Sequence, residues 1–300
     1  MSSCCGEIVY HGKCVRGRPV EVLDCRVCGF KHLHPKPTEE ELAGYYKKAY
    51  FKTEKPDYAR TSGTGSDYQF AVDAEKIGAA FTGESWHGHP GPRVLDYGCG
   101  PDAPFLKHFT TVWDNGLDSH ADPAECCSCF GYEPSLPADK TEPFPRSPTL
   151  SSDEFFDVIH LGFVLEHAAN PHKVLLDVRG HLKPDGRLIV EVPNDFNALQ
   201  MAIWRRGDEA PWWVSSPDHV NYFSVLSLGD TLRRCGFEPC ALGTTYPVEL
   251  FLLHGQNFRK DKAAKKTVVR RRAGLQRAWA DTKMAGVGVG RTVWMVASCK

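Results

Sequence analysis

The sequence predicts a doubly wound α/β fold, with a seven-stranded, mostly parallel sheet and a small cysteine-rich module in front of it. Three observations carry this. Val94-Leu95-Asp96-Tyr97-Gly98-Cys99-Gly100 reads as a buried strand running into a glycine turn. Apolar runs then alternate with helical patterns through the second half of the chain. That order builds a mostly parallel sheet with helices on both faces. Near the N-terminus, His11-x-x-Cys14 and Cys25-x-x-Cys28 supply two ligand pairs.

Composition narrows the class. At 300 residues and 42% hydrophobic content the chain can bury a sizeable core. Its net charge of −1 argues against a general polyanion binder. It contains no run of about 18 apolar residues, so no membrane span is expected. The N-terminal stretch is polar and lacks the apolar centre of a signal peptide. Twelve cysteines in such a chain point to free thiols and metal ligands in a reducing, cytoplasmic setting rather than to disulfides. No internal repeat is visible.

The elements follow in order. The two ligand pairs at His11, Cys14, Cys25 and Cys28 have the spacing of a zinc ribbon, which closes four N/S ligands around a structural Zn2+. Val20, Val22 and Leu23 fit a strand between the pairs, and Gly29 fits the turn after the second; Cys4, Cys5, His32 and His34 are spare ligands nearby. Thr38 with Glu41 is a capping box that starts a helix carrying Leu42, Tyr45, Tyr46 and Ala49. The module with this helix is expected over 1–51, a Pro/Gly/Ser/Thr-rich linker over 52–66, and the main domain over 67–300. A helix over 67–82 precedes the glycine-turn strand. The next legible strand, Phe155 to Leu161, leads into Gly162-Phe163-Val164-Leu165-Glu166-His167. Leu175, Leu176 and Leu182 fit a helix face, Arg187 to Val192 a further strand, and Arg291 to Ala297 a last antiparallel one. Nothing between 136 and 154 identifies another strand.

The glycine-turn motif strongly resembles the first motif of class I S-adenosylmethionine-dependent methyltransferases. A nicotinamide dinucleotide fingerprint is the alternative, but Ala103 stands where its third Gly would be. Asp102 occupies the position of the methyltransferases' own third Gly. The Glu166-His167 segment, followed by Asn170-Pro171, resembles the same region of ubiquinone-type O-methyltransferases. Val192-Pro193-Asn194, Pro211-Trp212-Trp213, Pro217-Asp218-His219-Val220-Asn221-Tyr222-Phe223 and Tyr246 to Phe251 resemble a bacterial-type group with an N-terminal zinc-binding segment. Sugar C-methyltransferases share that segment but carry a further large domain.

The resemblance implies S-adenosyl-L-methionine at Asp96, Gly98 and Gly100, with Leu161 at the cofactor edge. It also implies a ribose-binding carboxylate after the second strand. Asp118 has the expected spacing; Glu133, in Gly131-Tyr132-Glu133-Pro134-Ser135, has the family's wording and is favoured. His219 is the first candidate for a general base, since an unperturbed histidine titrates near neutrality. Tyr222 is its proposed companion and His167 its rival. Trp204, Trp212 and Trp213 are either a lid on the acceptor or core packing.

Methyl transfer to a small-molecule acceptor is the leading expectation, with the acceptor atom open among O, C and N and the oligomeric state open. An RNA-modifying methyltransferase is the alternative, gripping nucleic acid by the ribbon and by the basic run Arg259–Arg272; a solvated helix face accounts for that run more simply. A third reading, a cofactor-binding regulatory protein without turnover, rests on Asp102.

Overall fold

In the computed structural model, which describes residues 4–47, 67–82, 91–114, 127–140, 144–207, 209–282, 284 and 288–300, the predicted strand is β4 (Arg93–Tyr97). It lies in a seven-stranded sheet between β5 (Ser128–Tyr132) and β7 (Phe156–Gly162), parallel to both. The two-residue β6 (Arg146–Ser147) forms one edge. On the other side β7 pairs in parallel with β8 (Leu182–Pro193), and β11 (Thr292–Cys299) pairs antiparallel with β8 and with the edge strand β10 (Phe237–Thr244). The spatial order is β10-β11-β8-β7-β4-β5-β6.

Period-two alternation explains why the sheet is covered on both faces. Val94, Val158, Ile189 and Val296 point to one side, where they pack with α2 (Asp67–Ala80) and α3 (Pro104–Val112) through Val72, Ile77, Phe105 and Phe109. Leu95, Ile159, Leu188, Val190 and Met295 point to the other, against α4 (Pro171–His181) and α6 (Val225–Arg234) through Leu175, Val178, Leu228 and Leu232. Leu176 departs from the expected helix face, being more than half exposed, and Leu182 already belongs to β8. The strand missing from the sequence reading is β6, too short to show alternation.

The N-terminal residues form β1 (Gly6–Lys13), β2 (Pro19–Cys25) and β3 (Lys31–His34), antiparallel neighbours in a second sheet. Its fourth strand comes from far along the chain: β9 (Asn221–Tyr222) pairs with β3 at Lys31↔Tyr222 and His32↔Asn221. α1 (Glu39–Tyr45) follows, with both bonds of the Thr38/Glu41 capping box present. Ala49 and the linker 52–66 lie outside the described residues. α5 (Ala198–Arg206) and α7 (Glu249–Leu253) flank the loop between β8 and β9, and α8 (Lys262–Asp281) packs on α2. Lys262, Lys265, Lys266, Arg270, Arg271 and Arg277 lie exposed along α8. Arg272 turns inward and stacks over the Tyr68 ring.

At the contact of α2 with α8, Glu75 Oε1 accepts a hydrogen bond from Gln276 Nε2 at 3.1 Å. Burial pushes the Glu75 carboxyl up to about 7, against that bond. In the unfolded chain it ionises in the ordinary carboxylate range, so between that range and about 7 the folded chain binds more protons and stability falls as pH rises. Glu75→Gln keeps the shape without the charge. Thermal melts should find the variant more stable than wild type at about pH 8, by on the order of 1 kcal/mol because the site is partly exposed, and no different at about pH 4. Equal melting temperatures at both pH values would contradict this.

Candidate functional site

The site begins where β4 ends. Gly98 (φ 85°) and Gly100 (φ 64°) adopt the left-handed conformation that glycine enters freely. The N–H groups of Gly98 and Cys99 both donate to Tyr132 O, at 2.7 and 3.2 Å, which pins the turn to the end of β5. A Cβ on Gly98 would stand 2.6 Å from Val164 Cγ2. Cavities open on both sides of Gly98. One of about 250 Å3 is lined by Tyr97, Gly100, Tyr132, Glu133, Phe163 and His167, among others. The other, about 90 Å3, reaches Gln69, Lys76, Asp96, Phe105 and His160.

Glu133 follows β5 directly and is buried. Its Oε2 accepts from Gly100 N at 3.3 Å and its Oε1 from Ser135 N at 3.1 Å. Burial raises its pKa against these two N–H groups. A carboxylate held this way can accept hydrogen bonds from a vicinal diol. Its competitor Asp118 lies outside the described residues. At Asp102 the turn is strapped rather than freed. Arg146 Nη1 donates to Gly100 O at 3.3 Å and to Pro101 O at 2.9 Å.

Beneath the smaller cavity lies a buried polar layer that the sequence reading had only at Asp96. His160 Nδ1 donates to Asp96 Oδ1 at 2.7 Å, and the His160 ring stacks on Phe105 with centroids 3.6 Å apart. Lys76 Nζ sits 2.6 Å from Asp73 and 2.7 Å from Glu191. Burial alone would discharge Lys76, but the carboxylates of Asp73 and Glu191 outweigh it and raise its pKa. The signal was present: Val94-x-Asp96, Val158-x-His160 and Ile189-x-Glu191 each place one polar group two residues beyond a core residue, on the same face.

A histidine pair stands over the end of β7. His167 Nδ1 lies 2.8 Å from the Asp218 carbonyl and must donate to it, which leaves Nε2 with the lone pair, 3.7 Å from Glu166 Oε1. The His219 ring lies 5.1 Å from that of His167, centroid to centroid. Ligand atoms of Glu166, His167 and His219 all fall within 4.8 Å of one another. Glu166 is wholly buried; burial, then the charges of Asp195 and Asp218, lift its pKa well above the usual carboxylate range. Of the pair, His167 lines the larger cavity.

Two expected site residues stand elsewhere. Tyr222 is buried with Phe196 and Trp213, and its hydroxyl donates to His219 O at 3.1 Å; it supports the His219 loop and lines neither of the two glycine-turn cavities. Leu161 is fully buried in the core, because its side chain points into the α4 face of the sheet; Gly162, Phe163 and Val164 line the cavity instead. The tryptophans pack: Trp213 is buried with Tyr222, Trp204 meets Tyr10 edge-on, and Trp212 lies under Arg259.

The N-terminal ligands also regroup. Cys25 and Cys28 come together with Cys4 and His32, all four ligand atoms within 4.8 Å. His11 and Cys14 are not with them. His11 is exposed on β1 and pairs with Glu21 across the ladder, and Cys14 is buried in the turn, its Sγ 3.8 Å from Ser216 O. The antiparallel pairing of β1 with β2 carries His11 and Cys14 to the opposite end of the hairpin from Cys25, which instead faces Gly6 and the segment before it. Cys4 Sγ and Cys28 Sγ are 3.8 Å apart, the edge of a tetrahedron with metal–sulfur bonds of about 2.3 Å. His32 Nδ1 donates to Leu33 O at 2.7 Å, while its buried Nε2 has no hydrogen-bond partner among the described residues. Burial holds the ring neutral, with a pKa lowered to about 4. Three thiols and one neutral imidazole nitrogen are a donor set that fits Zn2+.

Comparison with known proteins agrees with this architecture. The family described as a methyltransferase domain matches residues 68–242. Ubiquinone biosynthesis O-methyltransferase from Glaesserella parasuis is 28% identical over 170 residues, 53% of this chain and 69% of that protein. The protein of the same name from Actinobacillus pleuropneumoniae is 32% identical over 111 residues, 35% of this chain and 47% of that one. A chain of the complex between the Haloferax volcanii Trm112 methyltransferase activator and a methyltransferase superposes with a TM-score of 0.51 at 15% identity, covering 84% of this chain and 97% of that one. The chain belongs to the methyltransferase-domain family and is a class I S-adenosylmethionine-dependent methyltransferase. Among the described residues no helix is long and apolar enough to cross a membrane.

Proposed function

We propose that the enzyme methylates a small-molecule acceptor and that His167 is the general base, with His219 beside it. The observation that carries this is the His167 ring, which lines the glycine-turn cavity and whose Nδ1 donates to the Asp218 carbonyl, so that Nε2 is the ring nitrogen able to take up a proton. His219, the first choice from sequence, stands one ring behind. The acceptor is taken as a metabolite rather than a nucleic acid, because the basic side chains of α8 lie along a solvated helix face and line neither glycine-turn cavity.

The cofactor supplies an electrophilic methyl group on a sulfonium. The chain's own part is placement and proton removal. Glu133 accepts the ribose hydroxyls, held ready by the N–H groups of Gly100 and Ser135. Gly98 and Gly100 let the backbone approach closely. Asp96 and Lys76 present fixed charges at the smaller cavity, which suits the amino-acid end. His167 Nε2 would take the proton from the acceptor, and the charged ring would be stabilised by the carbonyl and the carboxylate of Asp218. The tetrad Cys4, Cys25, Cys28 and His32 would hold a zinc ion in a structural role, since four protein ligands leave no open position.

Two substitutions separate binding from chemistry. Glu133→Ala removes charge-assisted bonds worth about 1.5–3 kcal/mol each, so calorimetry should find S-adenosylhomocysteine affinity lower by on the order of 100-fold. Because burial raises the Glu133 pKa, wild-type affinity should also weaken on acidification before an ordinary carboxylate would protonate. An unchanged affinity in the variant would move the ribose to another carboxylate. His167→Ala should keep cofactor affinity and lose roughly 100-fold or more in S-adenosylhomocysteine release with an accepted substrate. Full turnover in His167→Ala with loss in His219→Ala would reverse the assignment within the pair.

A further inference from the structure

The tetrad and the histidine pair are joined by a short run of hydrogen bonds. On one side, His32 of the tetrad sits opposite Asn221 in the β3–β9 ladder, and Leu33 N donates to Val220 O at 2.9 Å. On the other, Val220 N and Asn221 N both donate to Glu166 O, at 2.7 and 3.0 Å. The fully buried Asn221 side chain spans the same turn. Its Nδ2 donates to Leu165 O at 2.8 Å and to Ala168 O at 2.6 Å, the carbonyls that bracket Glu166 and His167.

Asn221 Oδ1 has no hydrogen-bond partner among the described residues. An unsatisfied buried acceptor is costly, because its lost hydration is not replaced. An apolar residue would fill the space without that cost but could not hold both carbonyls. The rest of the His219 loop is also built on the N-terminal sheet. Val15 N donates to Val214 O at 3.0 Å, and Arg16 Nη1 to Ser216 O at 3.2 Å. Arg16 Nη2 lies 3.8 Å from Asp218 Oδ2.

We propose that Asn221 is a positioning residue that couples the metal tetrad to the histidine pair: metal on His32 fixes β3, β3 fixes β9, and the Asn221 carboxamide fixes the turn that presents His167. This rests on the readings of the tetrad as a metal site and of His167 as the base. It adds that loss of metal changes the chemistry site while leaving the cofactor site in place, because Gly98, Gly100 and Glu133 depend on β4 and β5 and not on β9.

The test uses the full chain. Zinc content is measured first, then the ring 1H–15N signals of His167 and His219 are titrated with and without zinc, zinc being removed by a chelator. S-adenosylhomocysteine affinity is followed in parallel. Chelation should shift both ring signals and their titration midpoints with affinity for S-adenosylhomocysteine unchanged. Zinc-loaded Asn221→Ser should show a displaced His167 signal that responds less to chelation. The chelation arm uses the unsubstituted chain and stands whether or not the variant folds. Zinc present but histidine signals unmoved by its removal would overturn the coupling alone. A folded, metal-free wild type would overturn the metal reading beneath it. Signals that shift on chelation with intact response in Asn221→Ser would remove Asn221 from the path.

Discussion

Everything at this site depends on one backbone constraint at the end of β4. This strand has β5 on one side and β7 on the other, so chain connections leave it in opposite directions and a crevice opens at its carboxyl end. The chain must turn there without filling the crevice. Gly98 does so at φ 85°, its N–H spent on Tyr132 O and the space of its missing side chain taken by Val164. The turn brings Gly100 N onto Glu133, and so one hydrogen-bonded bend sets the positions of β5's carboxylate and of both cavities.

The remaining groups are arranged in two tiers around that bend. Below it, the Asp73, Lys76, Asp96, His160 and Glu191 layer buries charge where α2 meets the ends of three strands, with Lys76 shared by Asp73 and Glu191 and Asp96 hydrogen-bonded to His160. Pairs of this kind are costly to break, about 3–5 kcal/mol when one partner is removed, and add little net stability when whole. Their value is in fixed geometry at the small cavity. Above it, the N-terminal sheet is not a separate bead. It takes its fourth strand from β9, and Arg16 and Tyr46 reach the loop that carries Asp218 and His219.

Much of this was legible in the sequence because local signals sufficed. The Val94-to-Gly100 motif, the Thr38/Glu41 capping box and the alternation of β7, β8 and β11 stand almost where they were read. The place of Glu133 beside the glycine turn was legible from its Gly-x-Glu-Pro-Ser wording. The misplaced metal ligands share a cause, which is pairing at long range. Nothing near His11 reveals that the β1–β2 ladder turns it toward Glu21, or that Cys4 and His32 meet Cys25 and Cys28. Tyr222 looked like a site residue because it follows His219 closely, yet strand alternation at β9 sends its ring into the core. Leu161 missed the cavity for the same reason, one residue before Gly162. The strand β6 has two residues and no periodicity to detect.

The most direct measurement is S-adenosylhomocysteine binding to Gly98→Ala, by calorimetry, alongside a thermal melt of the same protein. A Cβ there needs a left-handed alanine and a contact with Val164 at 2.6 Å, so the bend must shift and carry Gly100 away from Glu133. The account predicts a folded variant whose binding is lost or weakened by on the order of 100-fold or more, equivalent to about 2.7 kcal/mol. A folded Gly98→Ala that binds as wild type does would contradict it, because the cofactor would then not lie at this turn.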